Sequence, residues 1–383
     1  MASITPTSVA ELADAIAGAA ADGRALSIRG GGSKAGIGAP SDADILDMRG
    51  FAGIVDYDPP ELVLTARAGT PLAEIEALLA SEGQRLAFDP FDHGPIFGEA
   101  AGAATIGGIV AAGVSGSRRI SAGAARDHLL GLRAVSGRGE AFVAGAKVVK
   151  NVTGYDLPKL MTGSWGRLAA LTEVTLKVLP APRETATWLV RGLGVADAVA
   201  LMARAMGSQA GIAAAAHVPG EAVTALRLEG FGPSVTARGA LLERLLAETC
   251  RLELAASVEA EAFWRDLRTL APLGGNGPLW RVSLPPRSSA AFLETPSLAS
   301  AHWMMDWAGG LLWLRFDGDA ALLRQAAEAA GGHAMLVRGD AALRAAVPAL
   351  HPRPAGVAAL ERRVRRAFDP AGLFETGRFG DAD

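Results

Sequence analysis

The chain has 383 residues, of which 50% are hydrophobic and 20% charged, with a formal net charge of -3 at pH 7. This length is enough for two domains with separate cores, and the charge balance excludes the overall basic field of a nucleic-acid-binding protein. The single cysteine, Cys250, excludes an intrachain disulfide and a cysteine-ligated metal or iron–sulfur cluster, and it is typical of a reducing compartment.

The N-terminal part of the sequence predicts short elements of mixed type. Ser8 and Glu11 have the spacing of a capping box, which predicts a helix over 9–21. Apolar runs predict strands over 26–29, 45–48, 53–57 and 62–68. Thr70 and Pro71 have the residue types of an N-cap and a first helical position, so a helix is expected to follow them.

Five glycines fall within nine residues directly after the first predicted strand, at 30–38. Because glycine has no Cβ, the backbone can take positive φ and approach a ligand closely, while Lys34 adds a positive charge; the segment is typical of an anion cradle. A valine at Gly31 is expected to be excluded because it cannot take positive φ cheaply. The spacing fits neither a P-loop nor a dinucleotide fingerprint, and a flexible turn between strands stays an open alternative.

Two further stretches are rich in small residues. Residues 100–117 are almost all Ala, Gly, Val, Ile, Ser and Thr, so they predict either a wall that lies close to a ligand or a tightly packed buried helix. A second glycine-rich turn region covers 147–166 and leads into an alternating strand over 169–178.

Pro180-Ala-Pro182 closes the first part of the chain, after which the order of elements changes. Strands are predicted over 187–193, 222–229, 279–284, 302–305, 311–316 and 333–338, and helices over 195–206, 234–249, 259–270 and 319–330 and near Ser288. This order predicts a ferredoxin-like α+β domain with an antiparallel sheet. A basic helix and turn over 361–380 are expected to pack on the first domain.

Four blocks together resemble the FAD-binding PCMH-type (vanillyl-alcohol oxidase-like) flavoproteins over essentially the whole chain. They are Arg29 to Lys34, Gly102 to Gly108, Lys150 to Gly166, and Arg363 to Pro370. Within this superfamily they are most similar to the second of the two FAD-binding subunits of bacterial glycolate oxidases. The resemblance implies an α+β fold: a two-subdomain FAD-binding domain over 1–181, a ferredoxin-like cap domain over 182–350, and a C-terminal segment, 351–383, that returns to the FAD domain.

The resemblance also implies the cofactor site. In this family the first block cradles the FAD pyrophosphate, the second lies along the pyrophosphate and ribityl chain, and the third packs near the adenine. The residues expected to bind FAD are Arg29, Gly30, Gly31, Gly32, Ser33, Lys34, Pro90, Gly102, Thr105, Gly107, Gly108, Ser115, Gly163 and Gly166. Some members attach FAD through a histidine of the first block; Ser33 stands in this block, so non-covalent FAD is expected. The usual terminal Asn-Pro-Gly turn is Glu375-Thr376-Gly377 here.

Related 2-hydroxyacid dehydrogenases hold a metal and orient the substrate with a histidine cluster and an acidic-His-Gly motif. The six histidines of this chain show no such spacing, and only His93 precedes an FAD block closely enough to be a candidate neighbour of the cofactor. The resemblance therefore implies an FAD-binding subunit of a glycolate oxidase (2-hydroxyacid:acceptor oxidoreductase) complex that relays electrons or supports assembly and does not host the substrate step. The implied partners are a catalytic flavoprotein, resembling the first FAD-binding subunit of glycolate oxidases, and an iron–sulfur subunit, with glycolate or D-lactate as substrate of the complex. No catalytic or metal-binding residue is assigned.

Two alternatives stay open at this point. One is a stand-alone FAD-dependent 2-hydroxyacid or alcohol dehydrogenase in which Arg118, Arg119 or Arg281 binds a carboxylate; the other is a flavin-free scaffold protein. Because the sequence shows neither a signal-peptide pattern nor a run of 18 apolar residues, a cytoplasmic protein is expected, either free or held at the inner membrane by partner subunits.

Overall fold

The computed structural model of the chain describes residues 1–145 and 155–380. By contacts the chain divides into two compact units. Unit 1 comprises Met1–Ser115, Gly123–Ala181 and Pro352–Asp383, and unit 2 comprises Gly116–Ala122 and Pro182–His351. Residues 147–154 of the predicted glycine-rich region lie outside the described residues.

The strands of the described residues are between 2 and 9 residues long. They are β1 (Ser3–Ile4), β2 (Leu26–Arg29), β3 (Asp44–Asp47), β4 (Ile54–Asp58), β5 (Val63–Arg67), β6 (Gln84–Arg85), β7 (Leu129–Ser136), β8 (Ala141–Gly145), β9 (Ala169–Lys177), β10 (Leu179–Pro180), β11 (Glu184–Arg191), β12 (Ala214–Val218), β13 (Val223–Gly230), β14 (Glu253–Leu254), β15 (Leu279–Ser283), β16 (His302–Asp306), β17 (Leu311–Arg315) and β18 (His333–Arg338).

The helices, numbered along the chain, are joined by short loops and 3₁₀ turns. They are α1 (Val9–Asp22), α2 (Leu72–Ser81), α3 (Ile106–Ala112), α4 (Arg119–Ala122), α5 (Ala125–His128), α6 (Leu157–Met161), α7 (Val195–Met206), α8 (Gly232–Leu246), α9 (Ser257–Thr269), α10 (Ser289–Leu293), α11 (Ala320–Ala329), α12 (Ala341–Ala346) and α13 (Ala355–Phe368). In the part of the chain that the structure describes, no helix is long and apolar enough to cross a bilayer.

Two sheets of different type form the frame of unit 1. A parallel sheet has the order β1-β3-β2, and an antiparallel sheet has the order β4-β5-β9-β7-β8. Helix α1 covers the first sheet with Leu12 and Ile16, which are fully buried, while α2 and α3 contribute Ile75 and Ile109 to the core of the second. Among the described residues, the core beside α1 also contains Val135 of β7 and Ala170 of β9, so both sheets contribute to it.

Local capping explains where the first helices begin. The hydroxyl of Ser8 accepts the backbone N–H of Glu11 at 3.2 Å, so the predicted capping interaction that starts α1 is present. The prediction that Thr70 caps α2 is wrong, because the Thr70 hydroxyl donates instead to the carbonyl of Arg67 at 2.7 Å and Pro71 takes the cap position. The turn before α2 satisfies this hydroxyl locally, so it is not available to the helix.

Unit 2 is built on one antiparallel sheet of eight strands, in the order β14-β11-β13-β12-β16-β17-β15-β18. Helices α7, α8, α10 and α11 bury one face of this sheet, with Leu226, Trp280 and Leu312 at the centre of the core. Strand β12 was not predicted, because its sequence, Ala-Ala-Ala-His-Val, does not alternate between apolar and polar residues and all five are buried. The α+β fold with an antiparallel second sheet is confirmed.

Two predictions of extent are wrong. Helix α13 starts at Ala355 rather than near 361, since Pro354 provides the non-helical entry. Of residues 100–117, only Ile106–Ala112 are in an α-helix, which ends at Gly113 in the left-handed region with φ 64°. The long buried helix that was an alternative for this stretch is therefore not formed.

Candidate cofactor-binding site

A cleft lies within unit 1, between the parallel and the antiparallel sheet. Its volume is about 740 Å³, counting space that opens to solvent. The wall consists mainly of small side chains and backbone from four places: the strand end and loop at 28–35, the helix region at 105–112, the turn and strand at 165–171, and single residues at 48, 68 and 378. A long, thin ligand could therefore lie close to the backbone over much of its length.

The glycine-rich loop is pressed against the second predicted block. A Cβ on Gly31 would lie 1.6 Å from the carbonyl oxygen of Ala103, and a Cβ on Gly30 would lie 2.1 Å from Oγ1 of Thr105. The expectation of positive φ at Gly31 is wrong: in this loop the left-handed glycines are Gly32 (φ 80°) and Gly38 (φ 87°). Gly31 is required by close approach of two backbones rather than by its dihedral angles.

The opposite wall begins with the short helix α3. Oγ1 of Thr105 accepts the backbone N–H of Gly108 at 3.3 Å, which fixes the first turn of the helix. The N–H of Gly107 donates to the carbonyl of Ala68 at 2.7 Å, and a Cβ on Gly107 would lie 2.7 Å from that same oxygen. Glycines in α3 thus bring the helix against the end of β5 and leave the cleft open.

Asp92, which the sequence analysis did not single out, organises this part of the site. Its carboxylate accepts backbone N–H groups from Gly94 at 2.9 Å, Gly102 at 2.8 Å and Ala104 at 3.1 Å. Burial raises the pKa of Asp92, but the three N–H donors and the charge of Lys34 outweigh burial and bring it below its usual value. An ionised Asp92 therefore fixes the segment that touches the glycine-rich loop.

Lys34 supplies a cation to the cleft in a poorly solvated position. Burial lowers the pKa of Lys34 to about 8, with the charge of Asp92 acting against this shift and the charge of Arg378 adding to it. Its ammonium group lies 3.4 Å from the hydroxyl of the buried Ser33. A phosphate in the cleft would restore the stabilisation that the ammonium lacks in the free protein.

Ten of the fourteen residues predicted to bind FAD line this cleft. They are Arg29, Gly30, Gly31, Gly32, Ser33, Lys34, Thr105, Gly107, Gly108 and Gly166.

The other four predicted residues are not in the wall of the cleft. Pro90 is buried, the N–H of Gly102 binds Asp92, Oγ of Ser115 accepts the N–H of Ala125 at 3.0 Å, and the N–H of Gly163 binds the carbonyl of Val110 at 3.1 Å. These residues shape the segments around the cleft.

Several lining residues were not predicted. Ala111 and Ala112 belong to the run of small residues, and Trp165, with φ 58°, lies inside the third block, so all three lie in segments that the sequence analysis had marked. Arg378 was not singled out, although it directly follows the turn Glu375-Thr376-Gly377 in the C-terminal segment that was expected to return to the FAD domain. Only the tertiary structure places it at the cleft.

The histidines do not form a cluster around the cleft. His93 is buried and stacks on Phe91, with ring centroids 4.6 Å apart, and is not among the residues that line the cleft. Nδ1 of His217 lies 2.9 Å from the hydroxyl of Thr224 in the core of unit 2, and burial lowers the pKa of His217 to about 4. Within residues 1–145 and 155–380, no three His, Cys, Asp or Glu side chains are grouped as metal ligands.

The three arginines considered for carboxylate binding all belong to unit 2. Arg118 pairs with Glu229 at 2.8 Å. Arg119 and Arg281 both stack on Trp307, with guanidinium carbons 4.4 Å and 5.0 Å from the ring centroid. Burial and the charge of Arg119 lower the pKa of Arg281 to about 10, against the effect of Asp306.

The cleft has the features that a dinucleotide cofactor needs: backbone cleared of side chains, a half-buried cation and a largely apolar wall. Comparison with known proteins agrees with this geometry. Residues 2–145 match the family described as FAD binding domain. The chain is 37% identical over 363 residues to the glycolate oxidase subunit GlcE of Escherichia coli (strain K12), covering 94% of both chains.

The chain belongs to the family of this subunit. A more distant relative in this family of FAD-binding oxidoreductases is the glycolate oxidase subunit GlcD of Bacillus subtilis (strain 168), 31% identical over 136 residues, which are 36% of this chain and 27% of the relative. The solved structure of p-cresol methylhydroxylase with substrate bound superposes with a TM-score of 0.71 at 15% identity, covering 99% of this chain and 88% of that one, and this likeness shows the fold. FAD is the cofactor of the chain.

Proposed function

We propose that this chain is an FAD-binding subunit of a glycolate oxidase complex, a 2-hydroxyacid:acceptor oxidoreductase, in which it relays electrons or supports assembly and does not host the substrate step. The observation that carries the proposal is a cleft walled by glycine and lined by the half-buried Lys34, in a chain 37% identical along 94% of its length to a glycolate oxidase subunit. The missing histidine cluster and acidic-His-Gly motif support the second half of the proposal.

The residues of the cleft have separate roles in this proposal. Gly30, Gly31 and Gly32 let the backbone approach the pyrophosphate, and Lys34 neutralises part of its charge. Ala111 and Ala112 have small side chains that leave room along the wall. Bound FAD supplies the hydride and electron chemistry, while the protein contributes binding and electrostatics. Because Ser33 takes the place of a linking histidine, the attachment is non-covalent.

The first experiment is a spectrum of the purified chain. Flavin absorbance that is released by acid or heat denaturation is the expected result, and a purified chain that neither carries nor takes up FAD would contradict the proposal. Glycolate or D-lactate added to the isolated chain is expected to leave the flavin oxidised.

The second experiment uses the assembled complex. We propose a catalytic flavoprotein resembling GlcD and an iron–sulfur subunit as partners, so co-purification with the neighbouring gene products, followed by flavin and iron counts, tests the composition. Complex rebuilt with flavin-free chain separates the two roles: lost electron transfer with intact assembly indicates a relay, and unchanged transfer indicates a structural role. Failure of the chain to co-purify with any flavoprotein would overturn the assignment to a complex.

One observation favours a second candidate function, a stand-alone 2-hydroxyacid dehydrogenase. In unit 2, Arg281 contacts an aromatic ring, Trp307, and feels the charges of Arg119 and Asp306. A guanidinium held by stacking presents a planar fork that suits a carboxylate. Reduction of the flavin by glycolate or D-lactate without partners, lost in Arg281→Met, would establish this function instead.

A further inference from the structure

The C-terminal segment, residues 369–380, is joined to the first sheet of unit 1 along its length. The carboxylate of Asp369 accepts the N–H groups of Leu373 at 3.0 Å and Phe374 at 2.7 Å, which fixes a tight turn after α13. Leu373 and Phe374 are buried in the core with α1, and the carbonyl of Leu373 accepts the N–H of Leu26 at 2.7 Å. The start of the segment is therefore anchored beside β2, the strand that leads into the glycine-rich loop.

The end of the segment contacts the loop itself, and Arg378 makes three bonds to it. Its side chain donates from Nε to the carbonyl of Ile37 at 2.6 Å and from Nη2 to the carbonyl of Lys34. Its own carbonyl accepts the N–H of Ala39 at 2.8 Å. The same arginine lines the cleft.

Contact with the C-terminal segment explains why a glycine stands at position 38, which belongs to the five-glycine pattern but does not line the cleft. Gly38 takes φ 87°, and a Cβ on it would lie 2.3 Å from the carbonyl oxygen of Arg378. A Cβ on Gly36 would lie 2.8 Å from the ring of Phe97. The last two glycines of the pattern thus allow close packing around the loop, and Gly38 allows the approach of the C-terminal segment.

A loop with so many glycines has a large conformational entropy and little side-chain packing to oppose it. Between Gly32 and Ile37 it makes two backbone turns of its own, Ala35 N–H to Gly32 and Ile37 N–H to Lys34. A carbonyl oxygen turned toward the cleft would repel a phosphate, and the Arg378 guanidinium holds the carbonyl oxygens of Lys34 and Ile37 in hydrogen bonds. The conformation of the loop therefore depends on a residue that lies 341 positions after Ile37 in the sequence.

We propose that Arg378 is a positioning residue for the cofactor: by holding the carbonyl groups of Lys34 and Ile37, it fixes the glycine-rich loop in the conformation that receives the FAD pyrophosphate. The inference rests on the proposed function in one respect, that FAD binds in this cleft. It adds that the fork geometry of the arginine, and not only its positive charge, determines affinity.

The test compares FAD dissociation constants of the refolded or deflavinated full-length chain for Arg378→Lys and Arg378→Ala. Lysine keeps the charge but cannot serve two carbonyls as a planar fork. Because hydrogen bonds to a charged group are among the stronger ones, each variant is expected to bind FAD roughly tenfold or more weakly. The salt dependence of FAD binding should stay as in the wild type for Arg378→Lys and decrease for Arg378→Ala.

Hydrogen exchange of the flavin-free chain gives a second readout. Amides of 30–39 should exchange faster in both Arg378 variants, whereas Lys34→Ala, which removes a cleft charge without touching these carbonyl bonds, should leave them unchanged. Arg353→Ala is the control, since Arg353 pairs with Glu361 at 3.6 Å and lies outside the cleft. If Arg378→Ala does not fold, Arg378→Lys carries the test.

The outcomes separate the two proposals. A wild-type chain that takes up no FAD contradicts the proposed function. If the wild-type chain binds FAD and Arg378→Lys has the same FAD affinity and the same hydrogen exchange in the loop, the positioning role is overturned. Arg378 would then contribute only its positive charge. Equal affinity in Arg378→Ala overturns any role of Arg378 in binding.

Discussion

The two units of this protein use positive charge in opposite ways. In unit 1, Lys34 and Arg378 face a cleft whose walls are glycine, alanine and backbone. In unit 2, Arg118 and Arg227 both contact the carboxylate of Glu229, at 2.8 Å and 3.1 Å, and Arg227 also stacks on Trp264 at 4.4 Å. A cation that faces an open cleft is available to an external anion, whereas one enclosed by a carboxylate and an aromatic ring is already neutralised by the fold.

The largest effect should come from closing the glycine wall. Gly31→Val places side-chain atoms where the carbonyl of Ala103 lies, 1.6 Å from the ideal Cβ position, so FAD retention should be lost entirely. The flavin-to-protein ratio of the purified variant measures this. Gly18→Val is the matched control, because a Cβ at the exposed Gly18 in α1 meets nothing within 4 Å and flavin content should be unchanged. Normal flavin content in Gly31→Val would mean that FAD does not use this cleft.

The second prediction concerns the neutralised arginines of unit 2. Glu229→Gln removes the negative charge shared by the buried Arg227 and the half-buried Arg118, and breaking such a pair costs up to about 3–5 kcal/mol of unfolding free energy. Denaturant unfolding should show this loss, while FAD affinity of the folded fraction stays as in the wild type. Glu259→Gln, at an exposed pair with Arg191, should change stability by less than about 0.5 kcal/mol. If Glu229→Gln lowered FAD affinity and left the unfolding free energy unchanged, the arginines of unit 2 would take part in FAD binding, and the distinction between the charges of the two units would be wrong.

A smaller effect is expected for the cleft cation. Lys34→Ala should weaken FAD about tenfold at low ionic strength, because one charge-assisted contact to the pyrophosphate is lost. Titration of the deflavinated chain with FAD at two salt concentrations measures the loss, which should shrink at high salt. An affinity loss that is the same at every salt concentration would place the effect in packing rather than charge.

The smallest prediction is the pH dependence of the same contact. Since the pKa of Lys34 in the free protein is about 8, its ammonium is charged below this pH and loses its proton above it. FAD affinity should therefore be constant below about pH 7 and decrease by a few-fold as the pH rises through 8. The decrease should end when the pH reaches the higher pKa that Lys34 has in the FAD complex. The decrease should be absent in Lys34→Ala, and an equal decrease there would assign it to another group.

The stability of the flavin-free chain should follow the opposite trend. Burial places the pKa of Lys34 below the value of 10.5 that the group has when unfolded, so the unfolded chain binds more protons between about pH 8 and 10.5. The contribution of Lys34 to the unfolding free energy is therefore unfavourable below pH 8 and improves as the pH rises through this window. The difference between wild type and Lys34→Ala isolates this contribution.

Local patterns in the sequence were sufficient for most elements of the fold. The capping pair Ser8 and Glu11 predicted the start of α1, and the apolar period of 195–206 predicted α7 at its observed limits, Val195–Met206. The patterns failed for β12, whose alanine-rich sequence does not alternate between apolar and polar residues. They also failed for Thr70, whose hydroxyl donates to the carbonyl of Arg67 and does not cap α2. In both cases the missing information was the environment of the residue rather than its type.

The sequence by itself indicated that a glycine-rich loop, a lysine and a run of small residues are typical of an anion-binding wall, because these residue types remove bulk and add charge wherever they lie, but it left a flexible turn and a buried helix as alternatives. Only the tertiary structure decided that Gly31 is needed for contact with Ala103, that Asp92 fixes the second block, and that Gly38 and Arg378 join the two ends of the chain. Such contacts depend on distances between segments remote in sequence, and no local propensity records them.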